Sequence, residues 1–321
     1  RRALAEQFRQ RGIAAEVALT AGRQGYLRVR YPLPDPAPRV SIIIPTRDRL
    51  DLLRQCIQGL MFDTDYPDLE IIVVDNDSQE PATLAYLAEI AKGSVRVLRD
   101  DGPFNYSALN NRAVAAASGS LIALLNNDTK VMQRDWLREM VSHACRPEVG
   151  AVGAKLYFSD GSLQHAGVVL GLGGVAGHLH IGLSSAEAGY YDDVELVRNV
   201  SCVTAACLLL RKVVFEEVGG LDELRLPIAL NDVDLCLKIR AKGYLIVWTP
   251  FAALYHFESA SRGSDVVPDK IARFQKDLAL MKARWGATLT ADPYYNPNRT
   301  LDDFRGGLAF PPRVSKPWSL N

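Results

Sequence analysis

The chain has 321 residues, 48% of them hydrophobic, with 37 acidic and 37 basic side chains. That suits one large globular domain with appendages, and zero net charge gives no electrostatic reason to expect nucleic acid or an anionic membrane surface as a partner. Five cysteines, an odd number without a CxxC pair, fit buried free thiols in a reducing cytoplasm better than a disulfide scaffold.

No signal peptide and no apolar run of bilayer-spanning length is present in the sequence. A cytoplasmic location is expected, with the inner face of the cytoplasmic membrane still within reach. The chain begins at Arg1 inside a helical pattern carried by Leu4 and Phe8, which suggests a module of a longer polypeptide.

In chain order, residues 1–31 read as a short helix followed by strand-like pieces at 16–19 and 26–31. The run Pro32-Leu33-Pro34-Asp35-Pro36-Ala37-Pro38 is a linker, because proline lacks the amide donor and fixes φ. The extension, 1–38, is too small for its own core and must lie on the main domain, 39–290, or on sequence beyond the chain. From residue 40 the pattern alternates: strands at 40–45, 70–74, 95–98 and 121–125, helices at 48–60, 81–92 and 107–117. Their Val, Ile and Leu runs lack polar alternation, which predicts strands covered on both faces. The fold class is therefore α/β, with a mainly parallel, Rossmann-like sheet and helices on either side. Beyond it come strands at 150–157 and 164–170, a buried run at 205–210, and a strand at 245–248. Helices are predicted at 213–218, 232–242 and 270–284, before an irregular tail over 291–321. The glycine-rich stretch 171–182 is expected to be a mobile loop that orders over a ligand, with a permanently packed irregular loop as the alternative.

Ligands of such sheets bind beyond the carboxyl ends of the strands, where three polar clusters fall. Pro45-Thr46-Arg47-Asp48-Arg49 offers guanidiniums to diphosphate oxygens, although either arginine alone reads more simply as a solvated first turn capped by Asp48. Asp75 could accept from a uracil or thymine imide or from ribose hydroxyls, with Asp77 or Ser78 capping the next helix. Asn126-Asn127-Asp128 supplies oxygen ligands suited to Mg²⁺ or Mn²⁺ on phosphates, or an Asx turn. Gly171-Leu172-Gly173-Gly174-Val175-Ala176, with Asp192 beyond, formally matches a dinucleotide fingerprint, but Gly177 and Gly182 deny it the helix it needs. His178 and His180 lack companion zinc ligands and read as loop polarity. His256 ends an apolar stretch and faces either a cleft or the core. On the helix from 232, Asp232 shares the stripe of Leu235, Cys236 and Ile239. Asp234 lines up with Lys238 and Lys242 as a solvated acid-to-base stripe.

Taken together, these residues resemble glycosyltransferase family 2, which has the GT-A fold. The match runs from about residue 40 to residue 258 through Ser41-Ile42-Ile43-Ile44-Pro45-Thr46-Arg47-Asp48-Arg49, Val73-Val74-Asp75-Asn76-Asp77-Ser78 and Ala108-Leu109-Asn110-Asn111. It continues through Leu125-Asn126-Asn127-Asp128-Thr129, Gly219-Gly220-Leu221-Asp222-Glu223, Asn231-Asp232-Val233-Asp234-Leu235 and Tyr255-His256. Leu163-Gln164-His165-Ala166-Gly167-Val168-Val169-Leu170-Gly171 is similar to bacterial O-antigen and rhamnosyltransferase-type members.

The resemblance implies an inverting glycosyltransferase of bacterial surface polysaccharide synthesis. It would move a sugar such as rhamnose from a dTDP- or UDP-linked donor to a hydroxyl of a glycan or lipid-linked glycan. It further implies that Pro45, Thr46, Arg47 and Asp75 hold the nucleotide, joined by Arg49, Asn105 and Asn127. Asp128, in the DxD-type position, and His256 would bind Mg²⁺ or Mn²⁺, and Asp232 would be the catalytic base. The chain departs from the pattern at Asn126, where aspartate is common, at Asn231, where glutamate often stands, and at Lys238, where arginine is frequent. Two other classes stay open. A nucleotidyltransferase would more commonly carry a Gly- and Lys-rich loop after the first strand. Against a non-catalytic sugar- or nucleotide-sugar-binding domain stands the joint retention of Asp75, Asp128, Asp232 and His256.

Overall fold

The computed structural model describes residues 1–20, 25–257 and 268–314. Residue 258, the far end of the expected match, and residues 315–321 of the expected tail lie outside the described residues. The extension forms α1 (Arg2–Gln10) and a hairpin of β1 (Glu16–Leu19) and β2 (Leu27–Arg30). The regular alternation follows: β3 (Val40–Thr46), α2 (Leu50–Phe62), β4 (Leu69–Asn76), α3 (Pro81–Ile90), β5 (Val95–Asp100), α4 (Tyr106–Ala116) and β6 (Leu121–Leu125). Then come β7 (Thr129–Val131), α5 (Trp136–Ala144), β8 (Val149–Tyr157), β9 (Leu163–His165), β10 (Val168–Leu170), β11 (Ala176–His178) and β12 (Arg198–Val200). The chain closes with β13 (Cys207–Arg211), α6 (Lys212–Glu217), α7 (Asn231–Ala241), β14 (Leu245–His256) and α8 (Pro268–Trp285).

One sheet carries the molecule, in the order β12-β14-β8-β13-β6-β3-β4-β5, with β7 on β14 and β9 on β8. β3, β4, β5 and β6 are parallel neighbours, β13 runs antiparallel between β6 and β8, and β8 and β14 are parallel again. Every residue of β3 and β6 is buried, as strands covered on both faces must be. Side-chain alternation divides the core between the faces. Ile43, Ile72 and Val74 pack with α4 and α7, whereas Ile42, Ile44 and Val73 pack with α2 and α5.

Three local readings change. The expected strand at 164–170 breaks into β9 and β10 at Ala166-Gly167. Gly167 sits at φ +92, and a Cβ there would stand 2.8 Å from Val200 Cγ1. The glycine-rich stretch is built in: β10 and β11 form a hairpin whose Leu172 and Leu179 pack against Tyr295 and Leu301 of the tail. The strand expected to end at 248 runs on to His256, because the chain bulges between Thr249 and Ala253 where Pro250 interrupts the ladder, and then resumes pairing with β8.

Candidate active site

The chain order places β4 and β5 on one side of β3 and then returns β6 to the other, so a topological switch point lies between β3 and β6. The ladders end unequally there. β3 pairs with β4 as far as Thr46 and Asp75, but with β6 only to Ile43 and Leu124. Pro45, two residues past the last β6 pairing, has no amide to donate to a ladder. The gap is a cavity of about 240 Å³ lined by Pro45, Thr46, Arg47, Phe104, Tyr106, Asn126 and Asn127. Asn127 spans it at the base, its Nδ2 donating to Thr46 Oγ1 at 2.9 Å.

The loops around the cavity are braced to one another. Asp48 and Arg49 both adopt positive φ, +52 and +58, a conformation that costs about 1 kcal/mol or more per non-glycine residue. Asp48 Oδ1 offsets part of that cost by accepting from Gln79 N and Glu80 N, each at 2.8 Å. Asp48 therefore caps the segment opening α3 instead of its own helix, and neither Asp77 nor Ser78 caps α3 through its side chain. Ser78 instead uses Oγ to accept from Asp48 N at 2.7 Å. Asp75 is buried behind the rim, accepting from Ser78 N at 3.1 Å and from the Arg99 guanidinium. Arg99, at the end of β5, also meets Asp77 and Asp101.

Three of the expected nucleotide residues, the buried Asp75 among them, stand outside the cavity lining. Asn105 caps α4, its Oδ1 accepting from Ala108 N and its Nδ2 donating to Glu223 O, both at 2.9 Å. Arg49 is exposed and outside the cavity lining. Phe104 and Tyr106, the neighbours of Asn105, line the cavity instead.

Asp128 and His256 meet although 128 residues apart, because β7 pairs antiparallel with the end of β14, Thr129 opposite His256. Asp128 Oδ1 lies 3.1 Å from His256 Nε2, and Asn126, which lines the cavity between β3 and β6, places Nδ2 3.0 Å from the same nitrogen. Both groups are nearly buried. A carboxylate oxygen and an imidazole nitrogen at that separation fit adjacent ligands of an octahedral cation, which with ~2.1 Å bonds stand about 3.0 Å apart.

At the start of α7, Asp232 is half-buried and accepts from Ala205 N at 3.1 Å. The Ala205 carbonyl in turn accepts from the Tyr106 hydroxyl at 3.1 Å, so Asp232 reaches the cavity through one residue of β13's approach. Asp234 corrects the sequence reading. It is fully buried, with Oδ1 accepting from Arg284 Nη1 at 2.8 Å and Trp285 Nε1 at 2.9 Å, and Lys238 Nζ is 3.6 Å away. The expected solvated stripe is a buried tie between α7 and α8. Likewise, His178 and His180 are not loop polarity: His178 meets His165 at 3.3 Å, and His180 Nε2 meets Asp193 at 2.9 Å.

The family model for glycosyl transferase family 2 matches residues 41–219, more than half of the chain. The chain belongs to glycosyltransferase family 2. This family 2 chain is 52% identical over 306 residues to the protein y4gI of Sinorhizobium fredii, covering 94% of this chain and 33% of that protein. It is 44% identical over 311 residues to the O-antigen biosynthesis protein RfbC of Myxococcus xanthus, covering 96% of this chain and 24% of that one. The chain thus spans a third or less of the length of these relatives. The mannosyltransferase PcManGT of Pyrobaculum calidifontis, solved with GDP-Man and Mn²⁺, matches with a TM-score of 0.55 at 17% identity, over 88% of this chain and 70% of that chain. The glycosyltransferase has the GT-A fold. No helix among its described residues is long and apolar enough to cross a membrane.

Proposed function

We propose that this glycosyltransferase moves a sugar, with inversion and with the help of Mg²⁺ or Mn²⁺, from a nucleotide-diphosphate donor to a hydroxyl of a glycan or lipid-linked glycan in surface polysaccharide synthesis. The observation that carries the proposal is the Asp128–His256 pair, joined through Asn126 to the cavity between β3 and β6. The O-antigen relative supports the pathway, and the mannosyltransferase crystallised with a sugar nucleotide and Mn²⁺ supports the cofactors.

In this reading Pro45, Thr46 and Asn127 form the floor under the nucleotide, and Phe104 offers it an apolar wall. Asp75 acts through its neighbours, its oxygens accepting from Ser78 N and the Arg99 guanidinium and so ordering the end of β4 beside the nucleotide. Arg47, exposed at the rim, meets diphosphate oxygens with a charge-assisted hydrogen bond. Asp128 and His256 hold the cation, which when bound neutralises charge on the leaving diphosphate as a Lewis acid. Asp232 takes the proton from the acceptor hydroxyl while that oxygen attacks the anomeric carbon from the side opposite the diphosphate. The new C–O bond forms as the C–O bond to diphosphate breaks, which inverts the centre. We assign no nucleotide contact to the Asn105 side chain, since both of its polar ends serve α4 and Glu223.

Calorimetry with dTDP-rhamnose, UDP-glucose and GDP-mannose tests the reading. One donor is expected to bind more tightly with Mn²⁺ than without, and that gain should vanish in Asp128→Ala and in His256→Ala. Equal affinity with and without Mn²⁺ for every donor would sink the cation site. Binding without transfer or slow donor hydrolysis would favour a non-catalytic domain.

A further inference from the structure

Gln164 lies at the centre of β9, is 2% exposed, and touches His256 at two points. Its Oε1 is 2.7 Å from His256 Nδ1, and its Nε2 donates to the His256 carbonyl at 3.3 Å. The second contact decides the first. A backbone carbonyl can only accept, so the amide nitrogen must face it, and the amide oxygen is thereby turned toward the ring. An oxygen acceptor opposite Nδ1 requires that Nδ1 carry the proton. In the neutral ring, Nε2 is then the atom with the free lone pair, and Nε2 is the atom that faces Asp128 Oδ1 at 3.1 Å and Asn126 Nδ2 at 3.0 Å.

We propose that Gln164 is the positioning residue that locks His256 as its Nδ1–H tautomer and so presents Nε2, beside Asp128, as a ready ligand for a divalent cation. The inference rests on the cation-site reading of Asp128 and His256. A metal-bound imidazole needs its other nitrogen to be held by an acceptor, which sets both tautomer and ring direction. Gln164 does this from a second piece of chain, so the ring is fixed relative to β9 as well as β14. β9 is itself anchored, paired to β8 at Leu156 and Tyr157, with the Gln164 carbonyl 3.1 Å from His178 Nδ1. The His165–His178 pair thereby has a role as the support of the strand that carries Gln164.

The test uses the whole chain and two variants. Gln164→Leu removes the acceptor at nearly unchanged volume, and Gln164→Glu keeps an acceptor for Nδ1. Mn²⁺ binding is measured by electron paramagnetic resonance titration, without donor. The tautomer of His256 in the metal-free protein is read from long-range ¹H–¹⁵N spectra, assigned by loss of the signal in His256→Ala. We expect wild type to show a protonated Nδ1, Gln164→Leu to bind Mn²⁺ about 10- to 100-fold more weakly, and Gln164→Glu to stay within a few-fold of wild type. Wild type that binds Mn²⁺, alongside a folded Gln164→Leu that binds it equally, overturns the inference and leaves the cation site standing. Wild type that binds no Mn²⁺ overturns the inference, since no ready ligand is then presented, and leaves the cation reading to the donor calorimetry. Should Gln164→Leu fail to fold, the wild-type spectrum still decides: an Nε2–H tautomer overturns the proposal.

Discussion

Asp232 and Asp234 stand two residues apart on α7 and meet different surroundings. Asp234 is held by Arg284, Trp285 and Lys238, and Arg284 also reaches Asp222 at 2.6 Å, so α7, α8 and the Gly219-Gly220 turn share one buried network. A carboxylate with no exposed surface is out of reach of an acceptor sugar. Asp232, by contrast, is only partly buried, bonded to Ala205 N and linked through the Ala205 carbonyl and Tyr106 to the cavity. Asp232→Asn should therefore lower transfer at least ~100-fold with donor affinity and stability kept, in line with the loss of a general base. Asp234→Ala should instead cost about 2 kcal/mol of unfolding free energy, because it strips Trp285 Nε1 and one arm of Arg284 of their buried acceptor while Asp222 still pairs the other arm. Transfer assays beside urea denaturation separate the two. Near-normal turnover in Asp232→Asn would mean that another group takes the proton.

The N-terminal hairpin shows how a small element is tied to a large domain. Among the described residues β1 and β2 pair with each other alone, and Arg28 ties them to the domain: its Nη2 meets Glu139 Oε2 at 2.6 Å, and its guanidinium lies 3.9 Å from the Phe251 ring centre. Glu139 also accepts from Thr249 Oγ1 at 2.9 Å and lies 3.2 Å from His143 Nε2. Burial pushes its pKa up, but hydrogen bonds and charge from His143 and Arg28 outweigh this and bring it down to about 2, from 4.5. A carboxyl with a depressed folded pKa contributes stability that is complete above its ordinary pKa and is lost as pH falls through the folded value. The shift corresponds to about 3 kcal/mol. In denaturation from about pH 6 down to pH 3, the stability gap between wild type and Glu139→Gln should narrow steadily as pH falls. A gap independent of pH would show that Glu139 is not held as a carboxylate by these partners.

Across the whole molecule, the irregular tail and the glycine-rich hairpin form one unit. Asp292 Oδ2 accepts from Leu170 N at 2.8 Å, while its Oδ1 accepts from Ser201 Oγ at 2.7 Å and Tyr294 N at 2.8 Å. Further along, Phe304 O accepts from His180 N at 2.6 Å, and a Cβ on Gly177 would stand 2.7 Å from the Phe304 ring. A segment bonded on both sides is poorly placed to act as a lid. Hydrogen exchange over residues 171–182 should be slow without ligand and unchanged on saturation with donor. Asp292→Ala should speed it at least several-fold, since it strands the Leu170 amide. Fast exchange in the free wild type, slowed by donor, would restore the mobile-loop reading.

Much of this was legible in the sequence. The apolar runs at 40–45, 70–74 and 121–125 announced buried parallel strands, and the polar residues that ended them announced the cleft, because side-chain period and strand termini are local properties. Asp232 was singled out over Asp234, but for a reason that failed: helical spacing cannot tell that α8 returns Arg284 and Trp285 to cover Asp234. Nor could spacing reveal that a three-residue strand, β7, pairs with a bulged twelve-residue β14 to join Asp128 to His256. Gln164 stood in a recognised run of residues without a role until β9 was set beside the end of β14. Chain-local chemistry determined which elements form and which residue types line their ends. Only the tertiary structure decided which carboxylate is neutralised, which amide is spent on a cap and which nitrogen of His256 faces Asp128, since each depends on a partner far away in sequence.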